Sequence, residues 1–255
     1  AHYERHLRAL ARYYDTVSEG QVVIESDVFP RVDTLAYTLP TSALRYGNGR
    51  TPEEIGLKWR ELAADAVALA EADPEGPVFS EYDSYLIIHA GLGHETGELN
   101  DVRSVFLGPA DLAEAGGALF VDGDTHSIEN LWLLPEAVDD RGRAGLNGLM
   151  AKFFGHQLGL SGLSNFADGL PAVGGWSLMD VGANRIGFVL HGDELDYVFG
   201  TVPPHPLAWT KARLGWIEAT TVRRDTTLTI VAGDRAPAPG SLAARVVRVP
   251  LSPTE

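Results

Sequence analysis

Apolar side chains recur at helical spacing in four stretches of the chain, with polar residues between them. The first stretch covers residues 2–16. The second begins at Thr51-Pro52-Glu53-Glu54, where a capping threonine, a proline and two acids are typical of a helix start, and it is predicted to end near Glu75. Its inward face is predicted to consist of Leu57, Trp59, Leu62, Ala66 and Leu69. The other two helices are predicted within residues 145–158 and 206–211.

Continuous or alternating apolar runs predict β-strands in other parts of the chain. The run at 85–89 enters a glycine loop at 91–93, which is typical of a buried strand. Further strands are predicted at 21–29, 119–121 and 131–134, and period-two segments follow at 227–231 and 244–249. The change of pattern after Trp216 predicts a domain over residues 1–216. Residues 217–255 are predicted to be the beginning of an incomplete β-sandwich-like domain.

Composition narrows the classes of partner and site. With 20 basic and 35 acidic residues the net charge is −15, which repels phosphate backbones and predicts no nucleic-acid partner. Solubility is the simpler explanation of the acidity, and calcium binding is the alternative. The absence of cysteine excludes disulfides, thiolate zinc sites and cysteine nucleophiles. No apolar run approaches the roughly 18 residues that cross a bilayer, so no transmembrane segment is expected.

Four segments stand in an order that points to one kind of fold. The first is a strand-like run that ends in His89-Ala90-Gly91, and the second is the stretch from Lys152 to Leu160, which contains His156. The third segment reads Gly-Gly-Trp-Ser-Leu-Met-Asp over residues 174–180. The fourth covers residues 206–216 and ends in Leu-Gly-Trp. Each is weak alone, and together they are specific for a fold.

This order resembles the immune-inhibitor-A-like secreted bacterial metallopeptidases, a zincin family. The resemblance implies an α+β fold: a zincin-like domain with a mixed sheet and an active-site-type helix, followed by the start of a β-rich domain. It also implies a secreted or cell-surface location. In this family the helix reads H-E-x-x-H-x-x-G-x-x-D, where two histidines and an acid bind zinc and the glutamate activates water.

The same alignment predicts that zinc chemistry is lost. Lys152 stands at the first histidine position, and a protonated ammonium has no lone pair for zinc. Phe153 stands at the position of the general base. His156 keeps the second histidine position, Gly159 matches the glycine, and Gly162 falls at the third-ligand position. A metal held by His156 alone is expected to be weak, so no cofactor is expected.

The chain has 8 histidines, at positions 2, 6, 89, 94, 126, 156, 191 and 205. His2 and His6 have helical spacing, but a solvated helix face is the favoured interpretation. His89, His94 and Glu95 border a glycine loop that could line a remnant cleft, although the ordinary polarity of a loop is the simpler interpretation. With Trp176 and Met179 of the 174–180 segment, they are the predicted cleft residues, and Met179 is also expected to belong to the core.

Acidic positions give a weaker case for a metal. The acids that could bind calcium are Asp122, Asp124 and Glu129. Their spacing lacks an EF-hand pattern, which favours a plain turn. The pair Asp139-Asp140 is interpreted as a loop and helix cap.

The sequence therefore predicts a catalytically inactive metallopeptidase-like domain of a secreted or cell-surface protein that acts as a binding or structural module. A protein partner or self-assembly is expected. One alternative is an active zinc endopeptidase with an atypical ligand set, in which His89, His94, His126 or His156 converge. Another is a structural component of an extracellular assembly, since the final apolar run at 246–251 closes no evident sheet.

Overall fold

The computed structural model describes residues 2–32, 35–137, 145–165, 169–191, 194–232, 238, 240–241 and 243–251. The α-helices are α1 (His2–Ser18), α2 (Ala43–Tyr46), α3 (Pro52–Ala72), α4 (Pro109–Glu114), α5 (Leu146–Gln157) and α6 (Ala208–Arg213). Short 3₁₀ helices cover Phe79–Glu81, His94–Thr96, Gly174–Trp176 and Val181–Asn184.

The strands are short, and those described form one three-stranded sheet and four two-stranded ones. They are β1 (Leu86–Leu92), β2 (Val105–Leu107), β3 (Leu119–Val121), β4 (His126–Ile128), β5 (Leu131–Ala137), β6 (Ile186–His191), β7 (Glu194–Phe199), β8 (Thr220–Thr221), β9 (Thr229–Ile230), β10 (Ala243–Ala244) and β11 (Val247–Arg248). Helices and small sheets occur together, so the expected α+β class is confirmed.

The central sheet has the order β1-β5-β2, with β1 parallel to β5 and β2 antiparallel to it. Successive residues of a strand point to opposite faces, and β5 uses both. Trp132 and Leu134 lie in a core with α1 and α5, whereas Leu131 and Leu133 lie in a second core with α3. The sheet therefore separates α1 and α5 on one side from α3 on the other.

Helix α3 begins as its sequence predicts. The Thr51 hydroxyl accepts from the Glu54 backbone N–H at 3.2 Å, and the Glu54 carboxylate accepts from the Thr51 N–H at 3.3 Å. This capping box satisfies two of the N–H groups at the helix start. One predicted inward residue is wrong: Leu57 is 52% exposed, and Ala63 and Val67 are buried in addition to Leu62.

Helix α5 is buried on most sides, because its glycines and alanine allow close approach while its large apolar residues fill both flanks. The hydroxyl of Tyr14, which is itself fully buried, donates to the Ala151 carbonyl at 2.6 Å and joins α1 to α5. At the helix start the Gly148 N–H donates to the Gly200 carbonyl at 2.7 Å. An added Cβ on Gly148 would lie 1.8 Å from the Ala183 carbonyl oxygen, so this position requires glycine.

Three strand predictions need correction. Residues 21–28 form no strand although they alternate, with Val22 and Ile24 against the core and Val23 77% exposed, because no neighbouring segment pairs with them. The segments at 227–231 and 244–249 contain only the two-residue strands β9, β10 and β11. The sequence did not predict strands β2, β4, β6, β7 and β8.

The described residues after Trp216 hold parallel two-residue pairs, β9 with β10 and β8 with β11. Trp216 itself is buried in the core with α1 and α5, and its carbonyl accepts from the Gln21 side-chain amide at 3.1 Å. The division at residue 217 stays a prediction. No helix in the described part of the chain has the length and apolar character needed to cross a membrane.

Candidate functional site

Lys152 and His156 lie one turn apart near the C-terminal end of α5, and both are half-buried. The ammonium of Lys152 donates a hydrogen bond of 3.2 Å to the backbone carbonyl of Asp180. Burial lowers the pKa of Lys152, and the negative charge of Asp180 opposes that shift. A cation therefore occupies the position where the sequence comparison placed the first histidine ligand.

His156 is held between aromatic and cationic neighbours. Its ring stacks on Phe106 of β2, with 5.7 Å between ring centroids and 23° between planes. Burial, and then the charge of Lys152, lower the pKa of His156, and a hydrogen bond with the Leu160 backbone acts in the opposite direction. The ring is thus biased toward its neutral form.

Gly162 lies beside His156. A Cβ added to Gly162 would lie 3.7 Å from the His156 Cε1 atom, which is an ordinary van der Waals distance. The chain reaches this point through Gly159, whose φ of +82° favours glycine, and the Leu160 N–H donates to the Gly155 carbonyl at 2.9 Å. The position next to the histidine therefore has room for a side chain and carries none.

Phe153, at the predicted general-base position, points into the core. It is 8% exposed and belongs to the cluster formed by α1, α5 and β5. Its ring centroid lies 6.4 Å from that of His156. A phenyl ring here contributes apolar packing and has no group that accepts a proton from water.

Asp180 is a site residue whose role the sequence did not reveal, although it lies in one of the four quoted segments. It is fully buried, and its carboxylate accepts from the backbone N–H groups of Val173, Gly174 and Val181 at 2.7, 2.8 and 2.9 Å. The Ser164 hydroxyl adds a fourth bond at 3.0 Å. Burial alone would raise the pKa of Asp180, but these hydrogen bonds hold it below its ordinary value.

This carboxylate organises the segment beneath the helix. Three backbone N–H groups converge on one side chain, and the Lys152 ammonium binds the carbonyl of the same residue. Met179 is buried against α5, where an added Cβ on Gly155 would lie 2.7 Å from its sulfur. We call Lys152, Phe153, His156, Gly162 and Asp180 the α5 site. No signal in the sequence distinguishes a buried Asp180 from a solvated one.

The predicted cleft residues of the glycine loop make hydrogen bonds to backbone groups in or near that loop. His89 lies on β1 at the opposite edge of the sheet from Phe106, and its Nδ1 is 3.0 Å from the Ala90 carbonyl oxygen. His94 Nδ1 is 3.0 Å from the Glu98 carbonyl oxygen. The Glu95 carboxylate accepts from the Ser104 N–H at 2.7 Å. Burial is the largest influence on His89 and lowers its pKa, while its buried Nε2 makes no hydrogen bond.

The remaining predicted cleft residues do not share one surface. Trp176 is 83% exposed, whereas Met179 is buried. The other predicted metal candidates have structural partners: His126 Nε2 is 2.8 Å from the Tyr85 hydroxyl, and His6 Nδ1 is 2.7 Å from the Asn147 side-chain oxygen.

The turn around Asp122 is likewise internally bonded. The Asp122 carboxylate accepts from the Phe79 and Ser80 N–H groups at 3.2 and 2.8 Å. Asp139-Asp140 lies outside the described residues. Among the residues that are described, no three His, Asp or Glu side chains are grouped as a metal site would require.

Searches against protein-family models and against curated protein sequences found no match to this chain. The resemblance to metallopeptidases therefore stays a prediction from the four segments. The geometry of the α5 site is independent of it.

Proposed function

We propose that the chain is a metallopeptidase-like, zincin-type domain that does not cleave peptides and serves as a binding or structural module of a secreted or cell-surface protein. The observation that carries this proposal is the hydrogen bond of the Lys152 ammonium to the Asp180 carbonyl. In an active site of this class the same position would offer an imidazole to zinc.

Two further features of the α5 site support the proposal. Phe153 is committed to the core, so no carboxylate at that position takes a proton from water. Gly162 lies next to His156 and offers no ligand atom. A catalytic zinc ion usually has three protein ligands, and these positions supply one.

The contacts of Asp180 support a structural role for the site. A carboxylate that accepts four hydrogen bonds and lies fully buried is committed to organising its own segment. The Lys152 ammonium and the Asp180 carboxylate therefore make their hydrogen bonds to other groups of the same domain. A protein that keeps this arrangement while lacking the reactive groups is suited to present a surface rather than to perform hydrolysis.

The proposal is tested by restoring the missing ligands. The double variant Lys152→His, Gly162→Asp places a histidine and an acid beside His156, and the open space at Gly162 accepts the new Cβ. We expect this variant to bind Zn²⁺ with micromolar or tighter affinity in isothermal titration calorimetry, and the parent chain to bind far more weakly. The control Lys152→Gln, Gly162→Asn has similar size and lacks good zinc ligands.

Two results would count against the proposal. Stoichiometric zinc in the parent chain, removable by a chelator with loss of proteolysis, would establish an active peptidase. Failure of a folded double variant to bind Zn²⁺ better than its control would show that the three positions do not converge as in a zincin site. Circular dichroism of both variants establishes that they are folded.

A further inference from the structure

Strands β6 and β7 form a two-stranded antiparallel ribbon with one apolar face. Paired residues of such a ribbon point to the same side, and alternate pairs share a face. The pairs Ile186–Phe199, Phe188–Tyr197 and Leu190–Leu195 alternate along it. We call these six side chains the ribbon face. It contains no charged residue, although the chain carries 35 acidic ones.

The ribbon face is exposed along its whole length. Its six residues are between 45% and 69% accessible. Large apolar residues present about 150–250 Å² each, so these fractions correspond to roughly 650 Å² of mainly apolar surface. The largest apolar patch on a typical monomer is about 300–600 Å², and larger ones mark interaction sites.

The base of the ribbon is fixed to the body of the protein. Val198 is buried there, and a Cβ on Gly187 would lie 1.9 Å from the Thr201 hydroxyl oxygen. The base of the ribbon is joined to α5 by the Gly148–Gly200 hydrogen bond. The base of the ribbon is therefore positioned before any partner binds, which reduces the entropy cost of association.

The arrangement of side chains matches the anatomy of a protein interface. The Phe188 and Tyr197 rings lie at the centre, with 5.2 Å between their centroids. The pair Ile186–Phe199 lies on one side of them along the ribbon, and the pair Leu190–Leu195 lies on the other. Binding energy at interfaces is concentrated in central aromatic residues that are surrounded by contacts excluding water.

We infer that the ribbon face binds a second copy of this chain. Two such faces packed about a two-fold axis would remove about 1,300 Å² from water, within the 1,200–2,000 Å² of stable interfaces. A two-fold axis near the aromatic pair brings that pair against its own copy, so one patch supplies both halves of the interface. This inference deepens the proposed function by naming the partner.

Charge gives the association a distinctive salt dependence. Each copy carries a net charge of −15, which opposes association, while the ribbon face itself is neutral. Salt screens the repulsion between copies and strengthens apolar burial, so the dimer tightens as salt rises. A basic partner bound through charge would respond in the opposite direction.

Sedimentation velocity over a concentration series tests the inference. We expect a monomer–dimer equilibrium. Its dissociation constant should decrease when NaCl is raised from about 50 mM, where screening is weak, to about 500 mM, where screening is strong. Phe188→Thr, which keeps a β-compatible side chain, raises that constant roughly 10- to 100-fold. The matched control is Phe120→Thr, since Phe120 lies on the β3–β4 pair and is 64% exposed, as Phe188 is. It leaves the constant unchanged.

Single cysteines provide a second readout, because the chain has none of its own. Because Phe188→Cys also removes the central ring, it is compared at a protein concentration above its raised dissociation constant, where it is expected to form a disulfide-linked dimer under mild oxidation and Phe120→Cys is not. A parent chain that stays monomeric at every concentration, or a dimer that Phe188→Thr leaves intact, overturns the inference. These measurements use mass and crosslinking, so they can fail while the zinc and proteolysis tests succeed, and the reverse also holds.

Discussion

The α5 site and the ribbon face differ in which kinds of side chain they bury and which they expose. In the α5 site the groups suited to chemistry are turned inward, with the carboxylate of Asp180 fully buried and Lys152 bonded to the same residue. On the ribbon face, large apolar groups suited to a core are turned outward. The helix that carries most of the α5 site is joined to the base of the ribbon by the hydrogen bond from Gly148 to Gly200.

This difference separates stability from recognition within one molecule. Substitutions that remove a bonded or packed group of the α5 site, such as Asp180 or Phe153, should change the free energy of unfolding, because these groups are satisfied within the fold. Substitutions on the ribbon face should change association and leave unfolding of the monomer nearly unaffected. Four predictions test this contrast, from the largest expected effect to the smallest.

Gly148→Ala should destabilise the protein most. The new Cβ meets the Ala183 carbonyl oxygen at 1.8 Å, and backbone at that distance must shift. We expect a loss of about 3 kcal/mol or more in the free energy of unfolding, measured with urea, although alanine normally favours a helix interior. Gly162→Ala is the matched control and should change stability by less than about 0.5 kcal/mol. Equal effects would contradict the close contact at Gly148.

Asp180→Ala should cost about 2 kcal/mol, because it leaves half-buried N–H donors without their acceptor. The same carboxylate gives a pH dependence. Its folded-state pKa lies below the ordinary 3.8, so its contribution is present above that value and is lost as pH falls through the folded pKa. Asp180→Asn should therefore show a flatter decline of stability below pH 3.8. Parent and variant curves that decline in parallel would argue against this assignment.

Lys152→Met should raise the pKa of His156, because it removes one of the two influences that lower it. Burial remains, so the pKa should stay below 6.5. Since the unfolded chain binds more protons below that value, stability falls as pH drops, and it should fall less in the variant. Titration of the His156 ring by NMR measures the shift. An unchanged pKa would place the ammonium away from the ring.

Phe188→Thr should have the smallest effect on folding. Its side chain is 64% exposed, so at concentrations where the protein is monomeric we expect a change below about 0.5 kcal/mol. Phe153→Thr, by contrast, removes a ring from the core and should cost about 3 kcal/mol. Urea unfolding of both variants makes the comparison. A large loss for Phe188→Thr would mean that the ribbon face belongs to the fold of the monomer.

The sequence predicted those elements whose signals are local and strong. The capping box at Thr51 and Glu54 and the apolar run at 85–89 gave a helix and a strand at the right places. The alternating run at 21–29 failed because a strand also needs a neighbour, and alternation alone does not supply one. Strand β2 was missed because three residues are too few to show a period.

The α5 site was predicted in part. The positions of Lys152 and Gly162 relative to His156 follow from spacing on one helix and its exit. The burial of Asp180 and the stacking of Phe106 depend on contacts between distant segments, which spacing does not encode. The ribbon does have a signal in the sequence, since alternating apolar residues on both sides of Gly192-Asp193 are typical of a hairpin.

The bond between Lys152 and Asp180 has one more consequence. The positive charge of Lys152 is part of the polypeptide. It does not dissociate on dilution as a bound ion would, and no other ion can replace it. The joint between α5 and the segment below it is complete once the chain folds. This one contact between α5 and the 174–180 segment therefore depends on no second molecule.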